Sequence, residues 1–248
     1  MYKRQGYTSI TFNLQHGAGA QSPIGQSALL RQAFDAALDR QALVDVAFEG
    51  MFKASIQPNF RGSPYYVSRF PNPGRDLARA KTLLQQAGVA LPVPVELTVV
   101  NNPWARQCAE MVQAMVNEAG FDLKINLMAY AASIEVTNAG NFQAYQTDGG
   151  GSLDPEGNMR PFLHSKGTRN ISHYGNPAMD SLLDAARLMT DVAERRETYA
   201  KALDIQRQDM PMAYLFMNAT IMAMRRDLDG LKIVPDAVVR LDGARLVN

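Results

Sequence analysis

The amino-acid sequence predicts an α/β fold, and two observations carry the prediction. The first is a strand–helix–strand succession, with an apolar run over residues 95–100, a helical pattern over 105–119 closed by Gly120, and an alternating run over 121–128. Such a succession within about 35 residues is typical of two parallel strands joined by a crossover helix. The second is size, because 248 residues with 46% hydrophobic side chains suffice to bury the core of one large domain or two small ones.

The first third of the chain predicts a strand, two short helices and a long loop. Residues 7–14 alternate polar and apolar side chains and favour a strand. From Ser27 the apolar side chains recur at helical spacing, and Asp39 stands where an N-cap would begin a second helix that Gly50 closes. Four prolines within residues 57–75 exclude a regular element and predict a surface loop.

The loop over residues 57–75 is aromatic, with Tyr65, Tyr66 and Phe70 close together. Long loops in compact domains are often functional. These aromatic side chains therefore either contact a ligand or anchor the loop to the core, and the sequence leaves both interpretations open.

The remaining elements are assigned from local periodicity. In chain order they are a helix over 77–87 ended by Gly88, a short helix over 131–138, a strand over 142–147, a glycine-rich segment over 148–158, helices around 179–186 and 199–205, and a strand pair or one interrupted strand over 212–217 and 220–224. Residues 234–248 show no strong periodicity.

Composition excludes several classes of function. The formal charge of +1, from 25 basic and 24 acidic residues, argues against a long nucleic-acid backbone as partner. The three histidines lie far apart in sequence, so no metal site is expected, and Cys108 falls on the apolar face of a predicted helix, where a thiol is inert. No run of about 18 apolar residues predicts a membrane-spanning helix. No cofactor is expected, because neither a phosphate-binding loop nor a dinucleotide fingerprint is present.

The glycine-rich segment holds the candidate chemistry. Gly149, Gly150 and Gly151 follow a predicted strand, where they either let a ligand approach the backbone closely or form a plain flexible turn. Asp148 and Asp154 are six residues apart and could serve as a general acid/base pair or bind a cationic group. Asp154 before a proline also fits an ordinary helix start.

Six segments in the right order resemble the extracellular solute-binding proteins of family 5, the peptide- and nickel-type receptors of ABC importers. They are LRQAFDAALDRQALV at 30–44, DLARAKTLLQQAG at 76–88, the strand–helix–strand unit at 95–127, GSLDPEGN at 151–158, NISHYGNPAMDSLLDAA at 170–186, and the stretch from ERRETYA to the proline at 194–211.

The resemblance implies the C-terminal lobe of a type II (cluster C) periplasmic-binding-protein-like fold, an α/β structure in which helices flank a mixed sheet. Residues 1–233 are expected to form this ligand-binding lobe, and residues 234–248 a tail that returns to an N-terminal lobe. Because family members carry an export signal and a first lobe ahead of the segment at residues 7–14, the chain is expected to be a truncated domain of a periplasmic protein.

By the same resemblance, the expected function is binding of a peptide or similar small solute in a cleft between lobes, without chemistry, with the importer's membrane subunits as partners. Expected ligand-binding residues lie at two strand ends: Asn101, Asn102 and Trp104, and then Thr147, Asp148, Gly149, Gly150, Gly151 and Asp154. Trp104 could stack on a ligand or pack at the rim.

Two departures from the family pattern accompany this expectation. The carboxylate that pairs with a peptide's amino terminus in some members falls on Gly151 here, and a commonly aromatic position falls on Asp148. Two alternatives therefore remain: a hydrolase or transferase using Asp148 and Asp154, or an interaction module that self-associates through the surface left bare by the missing lobe.

Overall fold

The computed structural model describes residues 6–219, 224–233 and 239–247. Strands and helices alternate from Lys53 to Leu163, as the α/β prediction requires. In chain order its strands and helices are β1 (Gly6–Phe12), α1 (Pro23–Gln26), α2 (Ala28–Ala36), α3 (Arg40–Phe48), β2 (Lys53–Ala54), α4 (Leu77–Ala87), β3 (Val93–Val100), α5 (Pro103–Ala119), β4 (Phe121–Met128), α6 (Tyr130–Asn138), β5 (Ala144–Gly150), α7 (Glu156–Leu163), α8 (Pro177–Leu188), α9 (Val192–Asp209), β6 (Met212–Met217), β7 (Leu228–Asp229), β8 (Lys232–Ile233), β9 (Val239–Arg240) and β10 (Arg245–Leu246).

Within the described ranges, six strands form one mixed sheet in the order β2-β6-β1-β5-β3-β4. Strand β3 runs parallel to β4 and β5, whereas β1 runs antiparallel to β5 and β6. The predicted strand–helix–strand unit is therefore confirmed, with α5 as its crossover helix. The carboxyl ends of β3, β4, β5 and β6 consequently lie at one edge of the sheet.

Helices cover both faces of this sheet. On one face, α2, α3, α4 and α5 bury apolar side chains against Ile10 and Leu97. On the other face, α7, α8 and α9 pack around Tyr7 and Tyr214. Because side chains of a strand point alternately to the two faces, Tyr7 and Ile10 of the same strand serve different cores.

Local side chains begin the helices, largely as predicted. The Asp39 carboxylate accepts a hydrogen bond from the Ala42 N–H at 2.9 Å and caps α3. The predicted stop at Gly50 lies one residue late, because Glu49 already adopts the left-handed conformation with φ 51°. Among the described helices, none is both long and apolar enough to cross a membrane.

The loop after β2 is confirmed, and two of its aromatic side chains, Tyr65 and Phe70, contact α9. Between Ala54 and Leu77 the chain forms neither helix nor strand. The Tyr65 ring meets the Tyr199 ring edge-on at 6.2 Å, and the Phe70 ring lies under the Arg207 guanidinium at 5.3 Å. Anchoring is therefore the interpretation that these contacts support.

The structure corrects the sequence prediction at β5. The strand was expected to stop at Thr147 and give way to a loop, but it continues to Gly150 because Gly149 and Gly150 pair with Tyr7 and Gly6 of β1. The two-residue strand β2 was not predicted, and of helix α7 only a possible start at Asp154 was considered from the sequence. Strand β6 confirms the prediction over 212–217, while 220–223 lie outside the described residues.

The final segment contributes short strand pairs. Strand β10 pairs with β7, and β9 pairs with β8, both antiparallel. Of the tail predicted over 234–248, the structure describes residues 239–247. Its division from the rest of the chain stays a prediction.

Candidate ligand-binding cleft

The sheet splits between β3 and β5 at its carboxyl edge. These strands pair only at Leu97 with Ala144 and Thr98 with Tyr145, whereas β3 stays paired with β4 as far as Val100. Helix α5, which follows β3, packs on one face of the sheet, and α7, which follows β5, packs on the other. In open α/β sheets, ligands bind in the crevice at such a switch point.

A cavity of about 540 Å³ occupies this split, a volume within the usual range for small-molecule sites. Three of the predicted site residues line it, namely Asn102, Thr147 and Asp148. Side chains of α6 and of the segment after α7 complete the walls: Tyr130, Ile134, Thr137, Thr168, Arg169 and Ile171.

Asp148 places a carboxylate in this cavity without a cationic partner among the described residues. Its Oδ1 accepts a hydrogen bond from the Thr8 hydroxyl at 2.6 Å, and the side chain stays open to solvent. The surrounding protein raises the pKa of Asp148, and the Thr8 hydrogen bond opposes that shift in part. An ammonium group of a ligand would find this carboxylate available.

Arg169 places a guanidinium on the same cavity. It lies over the Phe162 ring at 5.8 Å, and no carboxylate of the described residues forms an ion pair with it. Because Asp148 shares a strand face with Ala144, its side chain belongs to the α5 face, whereas Phe162 belongs to the α7 face. Sequence reasoning missed Arg169, since it follows a helix in an irregular segment and belongs to no recognisable pattern.

Of the two predicted asparagines that follow β3, Asn102 lines the cavity and Asn101 does not. Asn102 caps α5, because its Oδ1 accepts from the Ala105 N–H at 2.9 Å, and it lines the cavity. Asn101 is exposed, and its backbone N–H donates to the Met128 carbonyl at 2.8 Å. It is not among the residues that line the cavity.

Trp104 packs at the rim. Its ring meets Phe48 edge-on at 6.1 Å and Phe52 at 6.5 Å, and 37% of the residue is exposed. It does not line the cavity between β3 and β5. Of the two roles predicted for Trp104, rim packing is therefore the one these contacts support.

The glycines after Asp148 serve the fold. Gly149 is buried directly opposite Tyr7, and a Cβ placed on it would lie 2.6 Å from the Tyr7 ring. Gly150 is paired with Gly6, and Gly151 has φ 94°, a conformation that favours glycine. Gly149 and Gly150 therefore belong to a strand, and none of the three glycines is among the residues that line the cavity.

Asp154 is engaged in a structural ion pair. Both of its oxygens accept from the Arg195 guanidinium, at 2.8 and 2.9 Å, and one also accepts from the Glu156 N–H at 2.8 Å. Burial alone would raise the pKa of Asp154, but these hydrogen bonds outweigh it and hold the pKa below its usual range. The helix start considered at Asp154 lies one residue before the observed N-cap, Pro155, and the Asp154 carboxylate accepts from the Glu156 N–H in the first turn.

Arg195 was not predicted and joins four segments. Besides Asp154, it donates from Nε to the Ala186 carbonyl at 2.8 Å, and it lies over the rings of Tyr65 and Tyr199 at 5.3 and 5.5 Å. Since this pair occupies Asp154 away from the cavity, Asp148 and Asp154 do not form the acid/base pair considered from the sequence.

Other reactive groups do not converge in the described part of the chain. No three side chains of His, Cys, Asp or Glu lie close enough there to hold a metal ion. Cys108 is buried, and its burial, reinforced by the nearby Asp148 charge, raises the pKa of the thiol to about 12. The arrangement in the cleft can therefore bind charged groups, and its described residues offer no activated nucleophile.

Known proteins resemble this chain over nearly its whole length. The family model for bacterial extracellular solute-binding proteins, family 5, middle part, matches residues 2–170. A dipeptide-binding protein of Pseudomonas aeruginosa is 26% identical over 234 residues, covering 91% of this chain and 43% of that protein. The nickel-binding protein NikA of Staphylococcus aureus is 21% identical, covering 86% and 44%.

Solved structures agree on the fold. The murein tripeptide binding protein MppA of Escherichia coli superimposes with a TM-score of 0.85 at 23% identity, over 98% of this chain and 48% of its own. The ABC transporter substrate binding protein CtaP of Listeria monocytogenes gives 0.85 at 21%, over 100% and 51%. The chain thus spans about half the length of the relatives it matches.

Proposed function

The chain belongs to the bacterial extracellular solute-binding proteins of family 5, and we propose that it is a ligand-binding lobe of an ABC importer's substrate receptor. Its relatives carry names for binding a dipeptide, nickel or a murein peptide, and binding rather than catalysis is their common property. The proposed ligand is a peptide or similar small solute, and the importer's membrane subunits are the proposed partners of the longer protein. Its proposed location is the periplasm.

The observation that carries this proposal is the unpaired Asp148 carboxylate in a cavity at the carboxyl edge of the sheet. The peptide's amino terminus is a cation that such a carboxylate recognises. The Thr147 hydroxyl and the Asn102 amide lie on the same cavity and add hydrogen-bonding groups. Polar groups of this kind orient a ligand whose remaining surface meets apolar walls.

The cavity is open, and we propose that a first lobe covers it in the longer protein. Residues 234–248 are then the tail that returns toward that lobe. Because one lobe supplies only part of the contacts and closure supplies the rest, we expect weak binding by this chain alone. A dissociation constant in the millimolar range corresponds to a binding free energy of only about 4 kcal/mol, as expected for a site with contacts from one lobe.

Nuclear magnetic resonance titration of the chain with dialanine tests the proposal, since it detects binding at about 10 mM ligand. Backbone amide shifts should concentrate at residues 100–105, 146–149 and 168–171. Asp148→Asn should abolish them, and the matched variant Asp45→Asn, at an exposed position of α3, should not. Absence of cleft shifts in the wild type, or hydrolysis of dialanine during the titration, would contradict the proposed function.

A further inference from the structure

We propose that the groove between β2, the start of α3 and the loop over residues 57–75 is a second binding site, which takes a small aromatic anion. The groove has a volume of about 670 Å³, within the usual range for small-molecule sites. None of the residues that line it also lines the cavity between β3 and β5. In the sheet, β6 and β1 lie between β2 and β5, so the site is independent of the function proposed for the cleft.

Two cations and no carboxylate line this groove. Lys53, on β2, and Arg61, in the loop that follows, are both exposed, and neither forms an ion pair with a described residue. Arg69 of the same loop is instead held by Glu197 at 2.8 Å and Asp204 at 2.6 Å. An anion in the groove therefore gains charge-assisted hydrogen bonds without displacing an existing ion pair. Because the net charge of the chain is only +1, these local groups set the preference for an anion.

Aromatic side chains of the loop form the apolar wall of the groove. Phe60, Tyr66 and Phe70 line it, whereas Tyr65 turns toward Tyr199 of α9. Tyr66 is half-buried, and among the described residues its ring meets no other aromatic ring and its hydroxyl has no hydrogen-bond partner. An aromatic ring of a ligand can stack on such a face or meet it edge-on. Contact with α9 explains Tyr65 and Phe70, and the second site gives Tyr66 a role.

Buried hydrogen bonds hold the wall of the groove in place. The Gln57 side chain is almost fully buried, and its amide accepts from the Val67 N–H and donates to the Val67 carbonyl, both at 3.0 Å. The buried Asn59 amide donates to the Tyr65 carbonyl at 3.3 Å. Tyr66 lies between these two anchored residues, so its ring starts from a fixed point. A ligand then meets a wall that is already formed, and the ordering cost of binding is small.

The open edge of β2 adds a backbone donor and limits the size of the occupant. The Ser55 N–H donates to the Leu215 carbonyl of β6 at 3.1 Å. Neighbouring residues of an antiparallel strand alternate between bonding to the partner strand and facing away from it, so the Ala54 N–H faces away from β6, and Ala54 lines the groove. Strand addition by a peptide needs a row of such groups. Since β2 spans only Lys53–Ala54, a compact anion suits this edge better than an extended chain.

Nuclear magnetic resonance titrations with benzoate and its uncharged analogue benzamide test the charge assignment. For the wild type we expect benzamide to bind about tenfold or more weakly than benzoate, since it loses the charge-assisted contacts. The double variant Lys53→Gln with Arg61→Gln should bind benzoate as weakly as benzamide. Its matched control, Arg79→Gln with Lys81→Gln at exposed positions of α4, removes the same charge and should retain the wild-type affinity for benzoate.

A third ligand, cyclohexanecarboxylate, tests the aromatic wall. Tyr66→Leu should weaken benzoate binding by about threefold or more, because an aromatic pair contributes beyond the area that it buries. Binding of cyclohexanecarboxylate, which carries the same charge without an aromatic ring, should change by less than about twofold in this variant. An equal loss for both ligands would overturn the aromatic part of the assignment.

The position of the amide shifts separates this site from the cleft. Benzoate should perturb residues 53–57, 60–62 and 66–72, and no shifts there at about 10 mM ligand, or shifts confined to the cleft, would overturn the second site and leave the result with dialanine untouched. Equal binding of benzoate and benzamide, or full affinity in the double variant of the two groove cations, would contradict the role of those cations. Tighter binding of an acetylated tetraglutamate amide than of benzoate at the same residues would replace the aromatic anion by an acidic peptide. Because both groove cations are exposed, their glutamine variants should fold, and unchanged amide shifts outside the groove verify this.

Discussion

Replacing Gly149 by alanine should destabilise the fold, because the added methyl group has no room. Gly149 lies directly opposite Tyr7 across the β1–β5 pair, and a Cβ there would be 2.6 Å from two ring carbons of Tyr7 and from its hydroxyl oxygen. That ring is itself fully buried, edge-on against Phe162 at 5.8 Å and Tyr214 at 5.0 Å. Relief therefore requires a shift of several packed aromatic side chains.

The magnitude follows from two terms. Inserting a methyl group into a packed core costs about 1–3 kcal/mol. The Tyr7 hydroxyl donates to the Asn158 carbonyl at 3.0 Å, and a displaced ring loses this buried hydrogen bond, which adds about 1 kcal/mol. The free energy of unfolding should fall by about 2–4 kcal/mol, which for a chain of this size lowers the melting temperature by roughly 4–16 °C.

Urea unfolding followed by circular dichroism measures the effect, with Gly175→Ala as the matched control. A Cβ on Gly175 has its nearest neighbour, the Ser165 Cβ, at 3.9 Å, so this variant should be neutral or more stable by up to about 1 kcal/mol. A Gly149→Ala loss within 0.5 kcal/mol or so of this control would refute the packing explanation. In a Tyr7→Leu background the Gly149→Ala cost should shrink by about 1 kcal/mol or more, because the clashing ring is gone.

Three further predictions follow from the charged groups and the thiol. Arg195→Met should lower the free energy of unfolding by about 1–3 kcal/mol, since Asp154 and the Ala186 carbonyl lose their charged donor, and thermal melts compare it with the milder Asp154→Asn. Asp148→Asn should leave the melting temperature unchanged or raise it. Dialanine binding by the wild type should weaken as the pH falls through the pKa of Asp148, which lies above the usual value of about 3.9. Cys108 should resist alkylation by iodoacetamide in the native state and react fully in urea, whereas rapid native labelling would contradict its burial.

The sequence was sufficient for elements whose pattern is local. The crossover unit around α5 followed from apolar periodicity and a closing glycine, and the cap at Asp39 followed from one side chain and the residues just after it. The end of β5 was not predictable in this way. The local sequence predicts a loop at Gly149, and only its pairing with Tyr7, far away in sequence, makes it part of a strand.

The candidate site was predictable in part, for the same reason. Asn102 was predicted because ligands gather at the carboxyl ends of parallel strands, and Thr147 and Asp148 were predicted from the family resemblance. Asp154 was assigned to the site because its ion pair with Arg195 could not be predicted. The two residues are 41 positions apart, and no local pattern links them. Arg169 was missed because its value lies in having no partner among the described residues, a property that exists only in three dimensions.

Paired and unpaired charges of the described residues differ in where they lie relative to the cavity. Asp154 and Arg195 satisfy each other away from the cavity, whereas Asp148 and Arg169 face the cavity and lack such partners among the described residues. A folded-state pKa above the unfolded value means that Asp148 favours folding below its unfolded pKa, and that this contribution is lost as the pH rises through the folded pKa. At neutral pH the lobe therefore keeps a charge that does not help it fold. Such a cost is typical of binding residues, whose partner arrives only with the ligand.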